Sequence, residues 1–88
     1  MIQIKILSYK SPQRFAVKRT LMSIQSELQK TYPDVKISIT EVKGLSEMEK
    51  YTPVVILPSL VVNERLVCVG RFPSRQEVLG WIKSAIEE

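Results

Sequence analysis

The chain predicts an α/β domain, a four-stranded mixed sheet with helices on both faces and elements in the order β-α-β-α-β-β-α. Three observations lead there. Ile2, Ile4 and Ile6 alternate with Gln3 and Lys5, the period of two expected of a strand with one buried face. Phe15, Val17, Leu21, Ile24 and Leu28 then recur at helical spacing. Leu57-Pro58-Ser59-Leu60, continuing through Val61-Val62-Asn63-Glu64-Arg65-Leu66-Val67-Cys68-Val69-Gly70, reads as a proline-led hairpin ahead of a last amphipathic helix.

Each element has a local cause. After the first strand, Ser8-Tyr9-Lys10 form a short loop. Ser11-Pro12 starts a helix, with Ser11 as N-cap and Pro12 at the first helical position, where a missing N–H costs nothing. Arg14, Lys18, Glu27 and Lys30 are left for solvent. The helix stops before Pro33, because the residue ahead of a proline is pushed out of helical geometry. Val35, Ile37 and Ile39 alternate again and give a second strand to about Val42. Gly44-Leu45 breaks it. Ser46-Glu47-Met48-Glu49 matches a capping box and opens a short helix that cannot pass Pro53. Val54-Val55-Ile56-Leu57 leads into Pro58 and a strand near Ser59–Val62. Asn63-Glu64 is a tight turn, Leu66–Val69 pairs back, and Gly70 ends the hairpin. Ser74-Arg75-Gln76-Glu77 is a second capping box, and Val78, Leu79, Ile82, Ala85 and Ile86 form the buried stripe of the last helix. The strand-helix-strand unit requires a right-handed crossover and a parallel pair; the hairpin adds two strands, one antiparallel to the rest.

Composition removes several function classes. Eighty-eight residues make one domain. Apolar residues are 44% and charged residues 25%, as in an ordinary globular protein. No apolar run approaches the roughly 20 residues that span a bilayer. Met1–Leu7 lacks the basic region, apolar run and cleavage site of a signal peptide, so a cytoplasmic address and no membrane partner are expected. Cys68 is the single cysteine and there is no histidine. One chain therefore offers neither an internal disulfide, nor a Cys/His zinc site, nor a His-based triad. Three scattered glycines build no phosphate loop, and no cofactor is expected.

The element order and these motifs resemble the thioredoxin and glutaredoxin superfamily, in particular the small minimal thioredoxin-like proteins of archaea and bacteria. The resemblance covers nearly the whole chain. It runs through Ile4-Lys5-Ile6, the loop at residues 8–10, the Leu57-Pro58 junction and Val69-Gly70-Arg71 before the capped helix. It implies a cis Leu57-Pro58 bond facing the slot where the family carries Cys-x-x-Cys. That slot holds Ser11-Pro12-Gln13-Arg14, with Ser11 in place of the attacking cysteine and Arg14 in place of the resolving one. Disulfide exchange needs a thiolate, and neither residue supplies one. A redox-inactive, non-enzymatic domain is expected.

Three features remain that could act. The first is a protein- or peptide-binding surface made of Ser11, Pro12, Gln13, Arg14, Leu57, Pro58 and Ser59. An extended peptide could pair with the backbone beside the proline, between walls supplied by Tyr9 and Phe72. The second is the start of the first helix, where Lys10, Arg14 and Lys18 offer a place for a carboxylate or phosphate. This suits a glutathione-like anion of thiol metabolism. It also raises nucleic acid as an alternative, because residues 1–36 hold seven basic side chains against two acids while residues 37–88 hold six against seven. No interleaved aromatic platform accompanies that charge. The third is Cys68, which in mid-strand reads as a small buried hydrophobe rather than a reactive thiol.

Overall fold

The computed structural model describes residues 1–8, 10–52 and 58–87. Its elements are β1 (Ile2–Leu7), α1 (Ser11–Thr31), β2 (Ile37–Val42), α2 (Leu45–Met48), β3 (Ser59–Val62), β4 (Arg65–Val69) and α3 (Arg75–Glu87). The four strands form one sheet in the order β2-β1-β3-β4. β1 and β2 are parallel, while β3 runs antiparallel to both β1 and β4. The α/β architecture and the element order match the sequence expectation.

The period of two in β1 divides the core between two faces. Ile2, Ile4 and Ile6, with Leu60, Val62 and Cys68, pack against Val17, Leu21, Ile24 and Leu28 of α1 and Val78 and Ile82 of α3. Leu7, Val42 and Val61 point the other way and meet Met48 of α2, with Tyr51 and Leu66 partly buried beside them. Each such aliphatic side chain contributes about 1.5–3 kcal/mol by leaving water. The hairpin turn follows from backbone geometry. Asn63 (φ 48°) and Glu64 (φ 69°) are both left-handed, the two-residue turn whose twist suits a β-hairpin. Asn63 also ties the turn to β1: its N–H donates to the Gln3 carbonyl, and its Oδ1 accepts from the Gln3 N–H, both at 2.8 Å. Register shifts between Leu60 and Val61, which face Cys68 and Leu66, so Val67 is the extra residue of a bulge in β4.

Helix starts and faces depart from the sequence reading at three places. Lys10, not Ser11, is the N-cap of α1, so Ser11 is already helical, and no side chain caps this end. Phe15 lies outside the buried stripe, 60% exposed, whereas Arg14, expected in solvent, is 7% exposed. The stripe runs 14, 17, 21, 24, 28, a regular alternation of three and four that Phe15 does not fit. The Ser46–Glu49 capping box does not form. α2 starts two residues earlier, with Gly44 rather than Ser46 as N-cap, which puts Ser46 inside the first turn and Glu49 at the C-cap. The second box does form: the Glu77 N–H donates to Ser74 Oγ and the Ser74 N–H to Glu77 Oε1, each at 3.1 Å. α1 ends at Thr31 with Tyr32 as C-cap, as Pro33 dictates. The lead-in from Pro53 to Leu57, including the Leu57-Pro58 bond, lies outside the described residues, as does Tyr9.

Candidate functional site

One end of the sheet collects the slot. Leu7, the last residue of β1, pairs with Val42 on one side and Ser59 on the other, and Ser59 pairs in turn with Val69. The Gly70 N–H donates to the Pro58 carbonyl at 2.9 Å. From Leu7 the chain needs only the short loop to reach Ser11. The register therefore brings Ser11, Pro12, Gln13 and Arg14 to the same end of the sheet as Pro58 and Ser59. The three mutually parallel strands, β1, β2 and β4, all end here, where open α/β sheets expose strand termini and helix starts to ligands.

The loop into α1 is held by polar side chains. Ser8 is fully buried. Its Oγ donates to Gln13 Oε1 at 2.7 Å and accepts from the Lys10 N–H at 3.1 Å. Arg14 reaches back over the same loop. Its guanidinium donates to the Ser8 carbonyl at 3.1 Å, to Ser11 Oγ at 3.0 Å and to Glu41 Oε1 at 3.2 Å. Lys18 approaches the other Glu41 oxygen at 3.5 Å. Desolvation pushes the Glu41 carboxyl up, but the Lys18 charge and the Arg14 hydrogen bond outweigh it and hold the group below the ordinary carboxylate value. Arg14 is thus a strut that closes the slot, with its charge balanced by an acid from the neighbouring parallel strand.

This arrangement redistributes the expected cations. Of Lys10, Arg14 and Lys18, Arg14 is buried in the strut and Lys18 leans on Glu41, while Lys10 is exposed. No acidic residue occupies the first turn of α1. Glu41, Ser8 and Gln13 belong to the site although sequence reasoning assigned only Gln13. The parallel pairing of β1 and β2 was the available signal, since it places the end of β2 beside the start of α1.

Around the far side of this end, the turn from β4 to α3 is pinned by a bidentate pair. Arg71 donates to Glu77 Oε1 at 2.7 Å and to Oε2 at 2.5 Å. That hydrogen bonding, with the Ser74 N–H, lowers the Glu77 carboxyl to about 2. Phe72, within the turn, is exposed, as are Val69 and, across the sheet, Leu45. Cys68 is buried, and its thiol donates to the Arg71 carbonyl at 3.3 Å. Burial pushes this thiol up more than the Arg71 charge lowers it, the reverse of an activated thiolate.

A β-α-β unit, a short helix and a hairpin closed by a capped helix, arranged in the strand order 2-1-3-4, define a thioredoxin-like domain. The thioredoxin-domain family matches residues 3–83, and the chain belongs to it. No curated protein matches the chain. Among the described residues, no helix is long and apolar enough to cross a membrane.

Proposed function

We propose that this protein is a redox-inactive, cytoplasmic thioredoxin-like module that binds an extended segment of a protein partner. The binding surface is formed around Ser11, Pro12, Gln13, Arg14, Leu57, Pro58 and Ser59, of which Arg14, Pro58 and Ser59 are buried and Ser11 and Pro12 are exposed. The observation that carries this reading is the commitment of Arg14. The fourth residue of the slot is a buried guanidinium hydrogen-bonded to Ser8, Ser11 and Glu41, so the position that would resolve a mixed disulfide holds a structural cation. The one thiol of the chain, Cys68, lies under β-sheet packing with its ionisation disfavoured. What the slot retains is shape. A rigid helix start stands beside strand ends, with exposed Phe72 and Val69 on the adjoining turn and strand. Binding of this kind draws on backbone pairing and apolar pockets and needs no sulfur.

The anion reading at Lys10, Arg14 and Lys18 has less support, because Glu41 already neutralises much of that charge. Two measurements test the proposal. Disulfide reduction with dithiothreitol as electron source is expected at the uncatalysed rate for wild type and Cys68→Ala alike; turnover lost on substitution would overturn redox inactivity. Extended synthetic peptides are expected to shift the amides of Gln13, Ser59 and Gly70. Shifts there from phosphate or glutathione, with none from peptides, would move the assignment to the anion reading.

A further inference from the structure

The buried stripe of α1 is complete without two of its large apolar side chains. Val17, Leu21, Ile24 and Leu28 close the helix onto the sheet, yet Phe15 and Met22 stand 60% and 53% exposed. They are seven residues apart, so they share one flank at a separation of about 10 Å along the axis. Lys18 and Arg19 occupy the turn between them. The four side chains line an open depression of about 520 Å³. Lys18 is half-exposed and leans toward Glu41, whereas Arg19 meets no carboxylate among the described residues. The fold requires neither the exposed Phe and Met nor the unpaired guanidinium.

We infer that this flank of α1 docks an acidic amphipathic polypeptide. One apolar side chain of the partner seats between Phe15 and Met22, and its carboxylates reach Arg19, while Lys18 stays with Glu41. Charge complementarity selects the occupant, since an apolar floor flanked by cations rejects basic segments and rewards acidic ones. A bilayer is a poorer match. Insertion needs a whole apolar helix face, and the one α1 possesses is buried on the sheet. Nucleic acid is poorer too, because one free guanidinium and one shared ammonium neutralise few phosphates. This surface is separate from the slot and does not depend on the reading of it.

The test uses the full chain, isotopically labelled, and a synthetic helix-forming peptide of about 15 residues with leucines along one face and glutamates on its flanks. Its counterpart carries lysine for glutamate. The acidic peptide is expected to shift the amides of Arg19, Met22 and Ser23, with affinity falling as salt rises. Arg19→Glu and Met22→Ser are each expected to weaken it at least tenfold, and the lysine counterpart to leave the spectrum unchanged. Both substitutions are at exposed positions, and unchanged core amides verify the fold. Slot-directed peptides that shift Ser59 and Gly70 should bind both variants normally, which separates the two surfaces. Absence of shifts at Arg19–Ser23, or equal affinity in the variants, would overturn the inference. So would the same shifts produced only by phosphatidylglycerol vesicles or by a single-stranded oligonucleotide, or a concentration-dependent doubling in mass that removes these amides before any peptide is added.

Discussion

Replacing Arg14 with methionine removes the strut while keeping most of its length and apolar stem. Three hydrogen bonds are lost, to the Ser8 carbonyl, Ser11 Oγ and Glu41 Oε1. Their consequences differ. Ser11 is exposed, and water replaces the guanidinium there. Glu41 keeps Lys18 and is about one-fifth exposed, so its charge is not stranded. Ser8 is fully buried, and its carbonyl loses a charged donor that water reaches poorly. A stranded buried acceptor costs about 1–3 kcal/mol. Adding a partial loss at Glu41, well short of the 3–5 kcal/mol of a fully buried pair, gives about 2–3 kcal/mol for Arg14→Met. In a domain of 88 residues that is a fall in Tm of roughly 10 °C or more. Glu41→Gln should cost about 1–2 kcal/mol, and the double substitution less than the sum of the two by about 1 kcal/mol, because both act on one contact. Urea denaturation followed by circular dichroism measures all three. A cost below about 0.5 kcal/mol for Arg14→Met, or strict additivity in the double variant, would refute the strut.

Other predictions concern the far turn, the thiol and the hairpin. Glu77 titrates near 2 in the folded chain against an ordinary 4.5, so its pairing stabilises the fold above about pH 4.5 and is lost as pH falls toward 2. The stability of Glu77→Gln should therefore vary less than wild type across that window in urea midpoints, and parallel curves would contradict the pairing. Ser74→Ala, which removes the other half of the capping box, should cost about 1 kcal/mol at neutral pH. Cys68 should react with a disulfide reagent far more slowly in the native chain than in urea, and equal rates would show an accessible thiol. Glu64→Gly relieves a left-handed backbone at the loss of an exposed ion pair with Lys5, and should raise stability by about 0.5–1 kcal/mol in the same urea assay. Destabilisation would mean that the Lys5 contact outweighs the turn strain.

Much of the fold was legible because local and tertiary demands agree. β1 alternates because one face meets α1 and α3. The hairpin turn is written in Asn63, a residue that tolerates the left-handed region. Ser74 and Glu77 cap α3 as their spacing requires, and the Arg71 guanidinium shares the Glu77 carboxylate without displacing the Ser74 N–H. The errors arose where tertiary contacts override local pattern. Phe15 reads as core because it is large and apolar, but helical phase assigns that face to Arg14, and a charged residue is stable there because Glu41 and the Ser8 carbonyl are its neighbours. Ser46 satisfies the capping pattern, yet Gly44 already provides the extended residue from which α2 starts, so the box falls two residues out of register. That residues 11–14 open the first helix was readable from Ser11-Pro12. The contacts of Arg14 were not, because they depend on Glu41, 27 residues further along the chain, whose closeness only the parallel pairing reveals.

On the proposed reading, Ser11 stands at the family's nucleophile position, with a hydroxyl in place of the thiol. The direct measurement is the thiol pKa of Ser11→Cys in a Cys68→Ala background, followed by thiolate absorbance. A value well below the roughly 8.5 of a free cysteine is expected, since the thiol would sit at the start of a long helix beside Lys10 and Arg14 with no acid in the first turn. A value at or above that of a free cysteine would contradict the claim and place position 11 outside the slot.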